Sequence, residues 1–165
     1  MRIILTGTPC TGKTTLAQAI AKERKIPLID INAEAEANAL YTGEEEDGAK
    51  IVDSKKLGKH LKKLLKETSS CVCEGHLACE YALPADVCVV LRCNPFQLLK
   101  RMKSRKYSDQ KIADNLISEM LDYCVTLSKE HYSNVIVLDN STPLTAERVS
   151  KAIKNSASDS VDWFP

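Results

Sequence analysis

Short apolar runs alternate with longer amphipathic stretches along this chain. Arg2-Ile3-Ile4-Leu5-Thr6 is β-branched and continuously apolar at its centre, the signature of a strand buried on both faces. Residues 27–31, 70–74, 87–92 and 134–139 read the same way. Between these strands the spacing predicts helices at 13–24, 32–40, 53–67, 94–104, 108–131 and 144–155. The first is rich in helix formers and places Leu16, Ala19 and Ile20 on one face. Asn94-Pro95 starts a helix with a cap and a proline at the first turn, Ser108 caps the next, and Thr142-Pro143 precedes the last. Regular alternation of strand and helix predicts an α/β chain with a five-stranded parallel sheet between two helical layers. No internal repeat is visible. Residues 42–50 read as an acidic loop. The Ser-rich stretch 155–162 reads as loose, and the terminal Trp163-Phe164 as packing back on the body, because exposing such a pair is costly.

The turn between the first strand and first helix reads Gly7-Thr8-Pro9-Cys10-Thr11-Gly12-Lys13-Thr14. This is G-x-x-x-x-G-K-[ST], the phosphate-binding loop of nucleoside triphosphatases and kinases, in the strand–loop–helix context it requires. A polyphosphate needs several N–H donors converging from a curled backbone, and the helix start adds positive potential. Gly7 and Gly12 supply the positive φ and close approach such a curl demands. Lys13 reaches the β- and γ-phosphates, and the Thr14 hydroxyl can ligate Mg²⁺.

Composition narrows the partners. A net charge of +1 gives no global attraction to nucleic acid or membrane. With 165 residues, 44% apolar and 27% charged, the chain fits one domain with one core. No apolar run approaches a membrane span, and no signal peptide is seen before the first strand, so a cytoplasmic protein is expected; a monomer is the default expectation, on which the sequence itself is silent. The seven cysteines include no C-x-x-C pair. They read as small buried hydrophobes in a reducing compartment. Zinc held by Cys71, Cys73, His76 and Cys79 is the alternative.

Two further clusters suggest chemistry. Cys73-Glu74-Gly75-His76 ends the third strand, and ligands of open parallel sheets bind beyond the strands' carboxyl ends. Glu74 is therefore the first candidate for an acid beside Mg²⁺, and Asp30, ending the second strand, the next. His76 either orients a water or phosphate or serves as a structural hydrogen-bonding group. Residues 100–111 carry six cations and one acid across a break between two helices. That break reads as a lid placing Arg105 against transferring charge. A solvated helix end and an RNA-phosphate patch are the other readings.

The phosphate loop, Glu74-Gly75-His76, Val89-Val90-Leu91-Arg92, and Arg105-Lys106-Tyr107-Ser108 followed by Lys111-Ile112 and Asn115 occur in the order found in the adenylate kinase isoenzyme 6 family. The chain resembles an archaeal member from Met1 to about Ile153. The resemblance implies the nucleoside monophosphate kinase variety of the P-loop fold. Residues 1–155 would form the kinase domain, with a monophosphate-binding arm at about 30–53 and a lid at about 104–114; 156–165 would be a tail. It implies ATP + AMP giving two ADP with Mg²⁺, a slow ATPase, and a role in small ribosomal subunit maturation through a small-subunit ribosomal protein. It further implies that Cys10, Gly12, Lys13, Thr14 and Thr15 line the ATP phosphates and that Arg105 is the lid arginine.

The chain departs from that pattern in places. Position 10 is cysteine rather than glycine, so its phosphate contact is through backbone. Glu74 stands where eukaryotic members have aspartate, and Lys106 where glycine is usual. Residues 30–60 contain no arginine to grip an AMP phosphate. Arg92 is the best-placed substitute on the acceptor side, with Asp30 beside it; Lys50, Lys55 and Lys56 lack the bidentate fork. Modest AMP kinase activity is the expectation. An ATP-switched assembly factor and a kinase of another small acceptor, such as a nucleoside or shikimate, stand as alternatives.

Overall fold

The computed structural model of the chain describes residues 1–44 and 50–164. Five strands form one parallel sheet: β1 (Arg2–Thr6), β2 (Leu28–Asp30), β5 (Cys71–Glu74), β6 (Val87–Arg92) and β7 (Val135–Asp139), in spatial order β2-β5-β1-β6-β7. Around it lie α1 (Lys13–Arg24), α2 (Ile31–Ala37), α3 (Ser54–Glu67), α4 (Pro95–Ser104), α5 (Asp109–Met120), α6 (Tyr123–His131) and α7 (Ala146–Asn155). The period-2 pleat divides the apolar runs between the two faces. Ile4, Cys73, Cys88 and Val90 face Leu57, Leu61 and Leu65 of α3 and Val125 of α6. Ile3, Leu5, Val72, Val89 and Leu91 face α1 and α7. A third cluster joins α4 and α5 to Cys10 and Cys93.

All seven cysteines are buried and free, most of them core residues. Burial pushes the Cys73 thiol well above its usual range and Cys88 up to about 12, so both are neutral hydrophobes. The zinc set is not assembled: no group of three or more ligating side chains converges among the described residues. No helix among those residues is long and apolar enough to cross a membrane.

Four features differ from the sequence reading. The buried stripe of α1 is Leu16, Ala17, Ile20 and Ala21, two i,i+4 pairs, while Ala19 turns to solvent. The helix expected over 108–131 is two, broken at Asp122, whose φ of 56° is left-handed. Arg92 meets the chain at this break: its Nη2 donates to the Glu119 carbonyl at 2.8 Å, which also accepts from the Asp122 N–H at 3.3 Å. An antiparallel hairpin, β3 (Tyr41–Glu44) and β4 (Lys50–Val52), occupies part of the expected acidic loop; residues 45–49 of that loop lie outside the described residues. Finally, the Ser-rich tail is tied down. The Val137 N–H donates to Ser158 Oγ at 3.0 Å, the Asp159 N–H to the Val137 carbonyl at 2.8 Å, and the Asp139 N–H to Asp159 Oδ2 at 3.0 Å. Strand β7 lies at the sheet edge, so its outward groups need partners, and the tail provides them.

Candidate active site

Strand β1 delivers the phosphate loop to the carboxyl end of the sheet. Gly7 sits at φ 138° so close to β6 that a Cβ there would lie 2.2 Å from the Leu91 carbonyl oxygen. Gly12, at φ 98°, would press a Cβ to 2.5 Å from Asn140 Nδ2. No other residue type fits either place. Cys10 also holds a left-handed φ of 69°. Its side chain packs into the α4–α5 cluster beside Leu98, Met102 and Ile112. Gly12 caps α1 without a side chain, which leaves the first-turn N–H groups of α1 to a ligand.

Lys13 is buried, its Nζ donating to the carbonyls of Gly7 at 2.8 Å and Thr8 at 2.9 Å. Burial pushes its ammonium below the usual lysine range, and negative charge nearby, including Glu74, opposes that shift. Thr14 Oγ1 donates to Glu74 Oε1 at 2.8 Å. Registry places Asp30 opposite Glu74 on adjacent strands, so two carboxylates stand side by side at the strand ends. Burial raises the Glu74 carboxyl; the Thr14 hydrogen bond lowers it, and the Asp30 charge raises it again. Asp30 Oδ1 meanwhile caps α2 by accepting from the Asn32 and Ala33 N–H groups at 2.8 and 3.2 Å. A hydroxyl and two carboxylates form an all-oxygen donor set suited to a hard cation that retains waters and phosphate ligands, as Mg²⁺ does.

These groups line a cleft of about 430 Å³ that also takes in His76, Arg105, Tyr107, Lys111 and Asn115. His76 is pushed down to about 4, by burial first and then by the Lys13 and Lys111 charges, so its ring is neutral at neutral pH. Arg105 ends α4 and is exposed, with Nη1 3.7 Å from Cys10 Sγ. Residues 105–108 alone separate α4 from α5, and Ser108 caps α5 by accepting from the Lys111 N–H at 3.3 Å. The Arg105 side chain thus overhangs the loop from a short break. A second hollow of about 330 Å³ shares Cys10, Gly12, Thr15 and Arg105 with the cleft and continues to Arg101, Pro143 and Leu144.

The expected residues Cys10, Gly12, Lys13, Thr14, Thr15, Asp30, Glu74, His76 and Arg105 are thus brought to one cleft. Arg92 is not. It is 2% exposed, its Nε donates to Glu119 Oε1 at 2.6 Å, and it pairs with Asp122. Its charge is engaged by buried Glu119 and by the more exposed Asp122, which corrects its expected place on the acceptor side. Asn140 and Arg101 went unnoticed in the sequence. Asn140 donates to the Thr11 carbonyl at 2.6 Å, and Arg101 Nη2 to the carbonyls of Asn140 and Ser141 at 2.9 Å. The strand-end rule that singled out Glu74 would have singled out Asn140, the residue after β7.

A glycine loop, its lysine and paired strand-end carboxylates at the head of a parallel sheet define a P-loop protein of the small-kinase type. Among solved structures, a shikimate kinase from Bacteroides thetaiotaomicron superposes with a TM-score of 0.69 at 20% identity, over 93% of this chain and 98% of that one. A gluconokinase from Sinorhizobium meliloti does so at 0.59 and 17%, over 94% and 90%. The family model described as "AAA domain" matches residues 3–122, and the chain belongs to that family. It is 31% identical to the "Putative adenylate kinase" of Methanocaldococcus jannaschii over 99% of this chain and 93% of the relative. Identity to the protein of that name from Archaeoglobus fulgidus is 36%, over 93% and 80%.

Proposed function

We propose that the chain is a Mg²⁺-dependent kinase that transfers the γ-phosphoryl group of ATP to AMP. The observation that carries this is the convergence of Lys13, Thr14 and Glu74 on one cleft, in a chain whose relatives bear the adenylate kinase name. Positioning and charge stabilisation do most of the work in such a transfer. The loop N–H groups and Lys13 hold the β- and γ-phosphates. Mg²⁺ would rest against the Thr14 hydroxyl and the Glu74 carboxylate and neutralise phosphate charge there. Arg105 swings from its short break over the donor. The second hollow offers the apolar faces of Pro143 and Leu144 with the Arg101 and Arg105 guanidiniums, a seat suited to a purine. Lys13→Ala is expected to lower turnover by ~10²-fold or more, as loss of a transition-state donor does. Wild-type turnover of ATP and AMP by that variant would refute the assignment.

The engagement of Arg92 by Glu119 and Asp122 favours a second reading, in which the acceptor is a small hydroxyl compound without phosphate. The acceptor side then offers Asp30, Asn32 and neutral His76, groups that hydrogen-bond hydroxyls. Product analysis over a panel of nucleoside monophosphates, nucleosides and polyols separates the two. The ribosomal role is a separate proposal. The exposed cations Lys103, Arg105, Lys106 and Lys111 support it, and capture of small-subunit particles with and without ATP tests it.

A further inference from the structure

Glu119 is an anion enclosed in the protein, 2% exposed on α5. An ion so placed is tolerated only when its lone pairs are taken up. Here they are taken by separate parts of the chain. Oε1 accepts from Arg92 Nε at 2.6 Å, from the Cys93 N–H at 3.0 Å and from Trp163 Nε1 at 3.1 Å. Oε2 accepts from Thr8 Oγ1 at 2.5 Å. The Trp163 ring centre lies 5.4 Å from the Arg92 guanidinium carbon, so the same tryptophan also stacks on the counter-ion.

The Thr8 contact reaches the phosphate loop directly. The Thr8 carbonyl accepts from Lys13 Nζ at 2.9 Å and from Thr11 Oγ1 at 2.8 Å. Whatever fixes the Thr8 side chain fixes the carbonyl against which Lys13 is held. None of these residues other than Lys13 lines the cleft, so the set acts through the loop and not on the substrate.

We propose that Glu119 is a positioning residue for the phosphate loop and that Trp163 latches it from the tail. Nucleotide binding at the loop and docking of the tail are then linked, each strengthening the other by the same factor. The inference rests on the reading that the loop binds a nucleoside triphosphate.

Trp163 is the one tryptophan in the chain, so its emission reports on the latch without labelling. The experiment measures MgATP binding by calorimetry and Trp163 emission over the same titration, in wild type, Thr8→Val and Thr8→Ser. Trp163→Phe, which keeps a ring and loses the N–H, is measured by calorimetry alone. Thermal unfolding and circular dichroism monitor each fold. The expected result is an emission change that follows the calorimetric isotherm in wild type. MgATP affinity falls roughly tenfold in Thr8→Val, within the usual range of coupling between two linked sites, and severalfold in Trp163→Phe. Thr8→Ser, which keeps the hydroxyl, restores affinity. Folded Thr8→Val and Trp163→Phe proteins with wild-type affinity, or emission unchanged at calorimetric saturation, overturn the linkage. Absence of MgATP heat in wild type overturns the nucleotide reading itself and the linkage with it.

Discussion

Glu74 and His76 stand two residues apart at the end of β5, and burial shifts their titrations in opposite directions. The raised Glu74 carboxyl keeps an extra proton in the folded chain just above its ordinary 4.5, so acidification favours folding there. His76 does the reverse. Its folded value is about 4 against an ordinary 6.5, so between these values the unfolded chain takes a proton that the folded chain refuses. Stability therefore falls as pH drops from about 6.5 to about 4. His76→Asn removes that term. Its urea midpoint should decline less than that of wild type between neutral pH and pH 4.5, and superimposable pH profiles would show that His76 carries no such burden. At this scale the sequence revealed residues whose role follows from local context. Gly7, Gly12 and Lys13 follow from the motif, and Glu74 from the end of a strand. Arg92 also ends a strand, yet its role is decided by Glu119 and Asp122, some thirty residues away on a helix end that no local pattern predicts.

Elements were legible where periodicity was strong, and boundaries were not. All five strands of the sheet fall within or close to the apolar runs, because helices cover both faces, fully over the inner strands and partly at the edges β2 and β7. The hairpin β3–β4 escaped notice because its residues are mostly exposed, so no alternation marks them. The α5–α6 break escaped because it is marked by a left-handed aspartate, Asp122, and a contact from distant Arg92, with no glycine or proline to signal it. Helix ends also expose a correctable cost. Lys25 terminates α1 at φ 54°, a left-handed conformation that disfavours a side chain, and it is exposed. Lys25→Gly should raise stability by about 0.5–1 kcal/mol, read as a higher urea midpoint with unchanged slope. A lower midpoint would mean that the lysine side chain contributes more than its backbone costs.

At the scale of the whole molecule, the sheet places the phosphate loop and the paired carboxylates at one end, and the α4–α5 break adds Arg105, Tyr107 and Lys111 from above. Loop, carboxylates and Asn140 come from four of the five strand ends, yet they meet because parallel strands all point their carboxyl ends one way. The Ser158–Asp159 segment lies against β7 at the far side of the sheet from β2, with Arg148 of α7 holding Asp159 at 2.6 Å. A bare parallel edge of that kind would offer its amides to any extended peptide, including the same strand of a second molecule. Asp159→Ala should therefore gain mass with concentration in sedimentation velocity while wild type does not, and identical sedimentation of the two would remove this role. A segment whose composition suggests slack is thus placed to act as a selvedge, the finished border that stops a woven cloth from being extended or unravelled.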